Sequence, residues 1–214
     1  DLEDSVMPQR KAEAREILRN LLESKDISYK GALWVRINPL TSGLALADLC
    51  AVVGPALAGV LLPKCTGPAD VLTVSNYIDA LTTARGMADD GIGILAVATE
   101  TAGSPFALGE YRHHRMPRLW GLTWGAEDLS SAIGAATNRA PNGEWAFTYR
   151  MVRSQCLLAE ADAEHRDVEI AGGDVDMDPA FGRMSRSRRQ HDQFRIALAH
   201  IVERDLVEAR DFDL

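Results

Sequence analysis

Long apolar runs are missing from this 214-residue chain. No stretch approaches the roughly 18 uninterrupted apolar residues that a membrane-spanning helix needs. No basic start followed by an apolar stretch marks a secretory leader. Positive charge is in short supply: 23 Lys and Arg stand against 31 Asp and Glu, for a formal net charge of -8. That balance argues against nucleic acid or an anionic membrane as the main partner. Cysteine is scarce as well. Cys50, Cys65 and Cys156 are far apart and odd in number, with no CxxC pair and no zinc spacing. Reduced, partly buried thiols in a cytoplasmic protein are expected. The hydrophobic share of 46% and charged share of 25% are ordinary for a globular chain. The length suffices for one domain with a sizeable core.

What is present is an alternation of strands and helices. Ala12, Ile17, Leu18, Leu21 and Leu22 recur at helical spacing after Pro8. Ala32 to Ile37 reads as a strand ended by Asn38-Pro39. A short helix over 44–53 leads to a buried strand, Gly59 to Leu62, stopped by Pro63-Lys64. A helix from Pro68 to Arg85 precedes the run Gly93 to Glu100. About one helix of sequence, Pro105 to His114, separates this from a run over Leu119 to Asp128. Helices follow at Leu129 to Ala135 and Ala146 to Ala163. Apolar runs without strict alternation mark strands covered on both faces. The fold class is therefore α/β, a barrel or a doubly wound sheet. Polar residues at every strand end (Glu3/Asp4, Arg36, Lys64, Glu100, Asp128) favour the barrel, because all strands of a barrel contribute to one mouth.

Glu100 and Asp128 carry the most chemistry. Each closes a run that reads as a parallel strand, and the two strands are neighbours in a right-handed βαβ unit. Two carboxylates converging at adjacent strand ends are the least a protein must supply to hold Mg²⁺, with water and substrate at the other positions.

Two regions look different. Asp1 stands where an initiator methionine would, and Asp1-Leu2-Glu3-Asp4 reads as the tail of a strand, so a segment upstream is expected. From about Asp162 the composition shifts: the last 53 residues contain no Lys, Trp or Tyr, yet eight Arg and three of the five His. We divide the chain into a partial (β/α) barrel region, 1–161, and a divergent charged tail, 162–214, with a helix expected over 190–209. An out-of-frame reading of a GC-rich gene would produce such a tail.

Five segments occur in order at meaningful spacing: Asp1-Leu2-Glu3-Asp4-Ser5-Val6, Val35-Arg36-Ile37-Asn38, Leu62-Pro63-Lys64, Thr99-Glu100-Thr101 and Trp124-Gly125-Ala126-Glu127-Asp128-Leu129. On these, residues 1 to about 160 resemble the HpcH/HpaI aldolase and citrate lyase beta-subunit family of CoA-ester lyases. The resemblance implies an incomplete TIM (β/α)8-type barrel, with the first and last strands missing or unrecognisable. It also implies a Mg²⁺ cofactor (with Mn²⁺ as substitute), a homo-oligomer (trimer or hexamer) and cleavage of a 3-hydroxyacyl-CoA thioester of the citryl, malyl or citramalyl type. By resemblance, Glu100 and Asp128 are the metal carboxylates and Arg36 faces the substrate carbonyl. Glu3 and Asp4 hold metal waters and Arg36, and Lys64 lies where CoA phosphates approach. The backbone N–H groups of Ala126, Glu127 and Asp128 bind the substrate carboxylate. An acid borrowed from a neighbouring subunit has no located counterpart here.

Plainer readings stand beside these. Arg36 could be a structural ion pair with Glu3 or Asp4, Lys64 a solvated loop residue, and Glu127 a side chain pointing away from the metal. His113-His114 suits a helix end. Asp174, Asp176 and Asp178 begin like a calcium loop, but Pro179 and Ser185 occupy the Gly and Glu places. The five-residue basic cluster Ser185 to Arg189 is too short to argue for nucleic acid. Trp34, Trp120 and Trp124 read as core, with Trp124 at the edge of the mouth. A class II aldolase acting on free 2-keto acids is the enzymatic alternative, but it would use a His near the first strands and none precedes His113. An inactive metal-binding fragment is the other.

Overall fold

The computed structural model describes residues 1–24, 31–87 and 91–164. The expected helix over 190–209, the Asp174–Asp178 series and the Ser185–Arg189 cluster lie outside the described residues. The elements are α1 (Lys11–Glu23), β1 (Leu33–Arg36), α2 (Ala45–Val52), β2 (Leu57–Leu62), α3 (Pro68–Ala84), β3 (Gly93–Val97), α4 (Ser104–Ala107), β4 (Leu119–Thr123), α5 (Ala126–Ala132) and α6 (Phe147–Glu164). Every strand pairs parallel with its neighbour, in the sequential order β1-β2-β3-β4. The α/β reading holds, as does the adjacency of β3 and β4.

The two faces of this sheet differ. Val35, Val60, Leu62, Ile94 and Ala96 are buried in one core with Leu49 and Val52 of α2 and Val71, Val74 and Ile78 of α3. The alternation of a strand puts Trp34, Gly59 and Gly93 on the opposite face, and register aligns them in one row. The Trp34 ring lies over Gly59 and the Trp120 ring over Gly93; a Cβ on either glycine would meet ring carbons within 2.7 Å. The two indoles then meet edge-on, centroids 5.5 Å apart. β1 and β4 are three strand spacings apart, about 14 Å on a flat sheet, so the glycine row is what lets these rings span the middle strands. Trp34, Trp120 and Trp124 are each half-buried, not sealed core.

Several boundaries differ from expectation. The strands stop at Val97 and Thr123, so Glu100 sits in the turn after β3 and Asp128 on the first turn of α5. Extended Gly125 is the N-cap of α5 and ends the run that reads as one long strand. The Pro105–His114 crossover is four residues of α-helix followed by a 3-10 stretch, Leu108–His113, with Gly109 at the junction. On α1, Ala14, Leu18 and Leu22 pack on the core while Ile17 and Leu21 stay exposed, because one i, i+4 stripe is all that faces the core.

Candidate active site

The carboxyl ends of the strands gather the residues singled out in the sequence. The Asp1–Asp4 segment runs beside β1: the Leu2 N–H donates to the Arg36 carbonyl at 2.9 Å. Leu2 is fully buried, and its own carbonyl accepts from Asn38 Nδ2 (2.9 Å) and Lys11 Nζ (2.7 Å). Asn38 is fixed in turn by Asp48, whose Oδ2 accepts from both the Asn38 backbone N–H and Nδ2 at 2.7 Å. Arg15 Nε donates to Asp48 Oδ1 at 2.7 Å. This buried network, unmarked by any local motif, fixes where Glu3 emerges.

Arg36 stands two residues beyond Trp34 and so on the same face of the sheet. Its guanidinium forks onto Asp1, Nε to Oδ1 at 2.9 Å and Nη2 to Oδ2 at 2.5 Å, and Nη1 reaches Glu3 Oε2 at 3.0 Å. The planar fork suits a carboxylate held bidentate. Asp1 lies within its sequence motif, where no local pattern marks it as a partner of Arg36. Glu3 is buried and pairs with Lys64 as well as Arg36. Asp4 lies 3.2 Å from Lys64 Nζ, and its bonds to Glu3 and Lys64 outweigh burial to hold its carboxyl below the ordinary value.

Lys64 is not a solvated loop residue. Its ammonium binds Glu3, Asp4 and, at 3.3 Å, Asp128. Its backbone N–H donates to Glu100 Oε2 at 2.6 Å. These contacts raise the ammonium pKa against the opposing effect of burial.

Glu100 is 9% exposed. Burial pushes its carboxyl up to about 7, with the Asp128 charge adding to the rise and Lys64 opposing it. The turn that carries it is tied to the β4–α5 turn, since the Gly125 N–H donates to the buried Thr99 Oγ1 at 3.0 Å. Gly125 also makes room: a Cβ there would stand 2.5 Å from Glu100 Cγ and 2.8 Å from Oε1. Thr99 and Gly125 are thus positioning residues for the carboxylate; their motif contained them, but neither had been assigned that role. Ala126, Glu127 and Asp128 form the first turn of α5, which no side chain caps. The Glu127 carboxylate turns away and accepts from Asn138 Nδ2 at 2.7 Å.

The mouth therefore joins five carboxylates, Asp1, Glu3, Asp4, Glu100 and Asp128, to two cations, Arg36 and Lys64. Among the described residues no three His, Cys, Asp or Glu are grouped to hold a metal ion. A two-carboxylate site is the smaller set, and an excess of negative charge around a buried, desolvated Glu100 fits a hard divalent cation. The thiols are free and carry none of this chemistry. Burial pushes Cys65 up to about 11 and Cys156 up to about 12, so neither is a thiolate near neutral pH. His113 and His114 are exposed, and His113 Nε2 accepts from Arg112 Nε. Beyond the mouth, Trp124 meets Trp145 edge-on at 5.2 Å, and the Arg139 guanidinium lies 3.4 Å over Trp145.

The model of the HpcH/HpaI aldolase/citrate lyase family matches residues 1–168. The chain belongs to this family. A citrate lyase subunit beta-like protein of Mycobacterium tuberculosis is 30% identical over 177 residues, covering 78% of this chain and 56% of that protein. A malyl-CoA/beta-methylmalyl-CoA/citramalyl-CoA lyase of Chloroflexus aurantiacus is 34% identical over 146 residues, 67% of this chain and 41% of that protein. The crystal structure of the protein CitE from M. tuberculosis in complex with magnesium and acetoacetate superimposes with a TM-score of 0.56 at 29% identity, covering 76% of this chain and 59% of that one. The chain spans about half the length of the curated relatives it matches. No helix among the described residues is long and apolar enough to cross a membrane.

Proposed function

We propose that this chain carries the metal half of a Mg²⁺-dependent carbon–carbon lyase that cleaves a 3-hydroxyacyl-CoA thioester to an acyl-CoA and a keto acid. The observation that carries the reading is the meeting of Glu100, Asp128 and Arg36 around Lys64 at one end of a parallel sheet. The fold we assign is part of a (β/α)8-type barrel. Supporting this are the sequential all-parallel strand order, the helix-covered core on one face and the tryptophan row on the other. The relatives' lyase names and a neighbour crystallised with magnesium support the chemistry.

Cleavage passes the hydroxyl proton to a base, breaks the bond between the hydroxyl carbon and the carbon next to the thioester, and sends that electron pair toward the thioester oxygen; protonation of the resulting enolate at carbon then gives the acyl-CoA. A magnesium ion on Glu100 and Asp128 (or manganese in its place) would act as Lewis acid toward the substrate's hydroxyl and carboxylate. Arg36, always charged and held by Asp1 and Glu3, donates to the thioester oxygen as charge develops there. Glu3 and Asp4 keep Arg36 and Lys64 oriented. The first-turn N–H groups of Ala126, Glu127 and Asp128 receive the substrate carboxylate. Lys64 is assigned to the mouth acids in place of CoA phosphate. We assign a homo-oligomeric state, testable by light scattering. No His precedes His113 in the sequence, which favours a CoA thioester over a free 2-keto acid.

The test is incubation with malyl-, citramalyl- and citryl-CoA and Mg²⁺, following keto acid release. Release that disappears on adding EDTA or on Arg36→Ala supports the reading. No release from any of the three by a chain that binds Mg²⁺ would remove the catalytic half of it.

A further inference from the structure

Lys64 touches four of the five mouth carboxylates. Among the described residues it is the one non-glycine with positive φ, 50°, a conformation that L side chains rarely adopt. That turn sends its two nitrogens in different directions. The backbone N–H goes to Glu100 Oε2 at 2.6 Å. The ammonium goes to Glu3, to Asp4 Oδ2 at 3.2 Å and to Asp128 Oδ2 at 3.3 Å. One residue thus contacts both carboxylates assigned to the metal, and Glu3, which also holds Arg36.

An ammonium ion-paired with Asp128 and a divalent ion on the same carboxylate draw on the same lone pairs, and the two cations repel each other. Lys64 has room to yield. Its side chain is 29% exposed, and Glu3 and Asp4 remain as partners if Asp128 is given up. Resting on the metal site proposed above, we infer that Lys64 is a tethered counter-cation: it competes with the divalent ion for Asp128, lowers the affinity of the site, and shifts toward Glu3 and Asp4 when the ion enters. Metal occupancy is thereby coupled to Glu3, the acid that Lys64 shares with Arg36. The role is one of positioning and affinity-setting; Lys64 forms no bond to substrate in it.

The test is calorimetric titration of MgCl₂ into the parent chain, Lys64→Gln, Lys64→Arg and Glu100→Ala/Asp128→Ala. Gln keeps a hydrogen-bond donor for Glu3 and removes the charge. We expect Lys64→Gln to bind Mg²⁺ about tenfold tighter, from the loss of one like charge near a divalent ion. Lys64→Arg should stay near the parent, and the double variant should not bind. A lysine with a merely structural role would lower the melting temperature in EDTA without any gain in affinity. Binding by the parent with equal or weaker binding by folded Lys64→Gln overturns the inference and leaves the metal site standing. No binding by either overturns the metal site and the inference together, whereas binding by Lys64→Gln alone supports both. Should Lys64→Gln fail to fold, the ¹⁵N-lysine spectrum of the parent decides. An ammonium resonance, assigned to Lys64 by its loss in Lys64→Arg, should move as Mg²⁺ saturates. A resonance that stays put overturns the inference.

Discussion

Replacing Gly125 by alanine separates the site from the fold. Gly125 has φ -127° and ψ 115°, extended backbone open to any residue, so the substitution itself strains nothing locally. The new Cβ, however, would sit 2.5 Å from Glu100 Cγ, 2.8 Å from Oε1 and 3.1 Å from Cδ. Cγ is near the root of the side chain, so Glu100 must leave its rotamer as a whole. Holding a side chain off its rotamer costs about 0.5–1.5 kcal/mol, and losing the 2.6 Å bond from the Lys64 N–H costs about 1–3 kcal/mol for the orphaned donor. The sum, about 1.5–4.5 kcal/mol, would lower the melting temperature but leave a folded chain. The metal site should suffer more selectively, since displacing the group that orients a ligand typically costs about 10–100-fold in metal affinity. Thermal melts in EDTA and calorimetry with Mg²⁺ measure both effects on one preparation. A Gly125→Ala chain that binds Mg²⁺ as tightly as the parent would refute the claim that Glu100 is a ligand held by this close approach.

Three further outcomes follow from the same geometry. Arg36→Ala should reduce turnover by ~10²–10³, about 3–4 kcal/mol, while Mg²⁺ affinity holds; unchanged turnover removes Arg36 from the chemistry. Asp48→Ala removes a fully buried carboxylate that holds the half-buried Arg15 charge, the Asn38 backbone N–H and one of the two Asn38 Nδ2 bonds. It should cost about 3–5 kcal/mol in denaturant unfolding, and a loss under 1 kcal/mol would show that the network does not anchor the Asp1–Asp4 segment. For pH, the folded Glu100 carboxyl titrates near 7 against an ordinary 4.5, so between those values the folded chain keeps a proton the unfolded chain has lost. Its contribution to stability therefore falls as pH rises through that window. A divalent ion needs the charged form, so the thermal shift produced by Mg²⁺ should be larger at pH 8 than at pH 5.5, and a flat profile contradicts the assignment.

Much of the fold was legible because it follows from uninterrupted apolar runs. Gly93-Ile94-Leu95-Ala96-Val97 has nothing polar to place in water, so it can only be a covered strand. The polar residues ending such runs were therefore the ones to watch, and Arg36, Lys64, Glu100 and Asp128 do meet. What the residues hid is what depends on backbone direction or on distant partners. Lys64 after Pro63 looks like surface, and only a left-handed φ turns both its nitrogens inward. Gly125 looks like one more strand residue, and its role appears only once Glu100 lies against it. The Asn38–Asp48–Arg15 network joins residues that share no local pattern. The helix expected at Pro105–His114 tightened to a 3-10 turn, which no apolar count distinguishes from an α-helix.

The measurement that bears most directly on the central claim is a Mg²⁺ and Mn²⁺ titration by calorimetry, comparing the parent chain with Glu100→Ala/Asp128→Ala. Saturable binding to the parent that the double variant loses is the predicted result, because the two carboxylates then form one site at the end of β3 and the start of α5. Equal binding to the parent and the double variant, or no binding by the parent and Lys64→Gln alike, would contradict it.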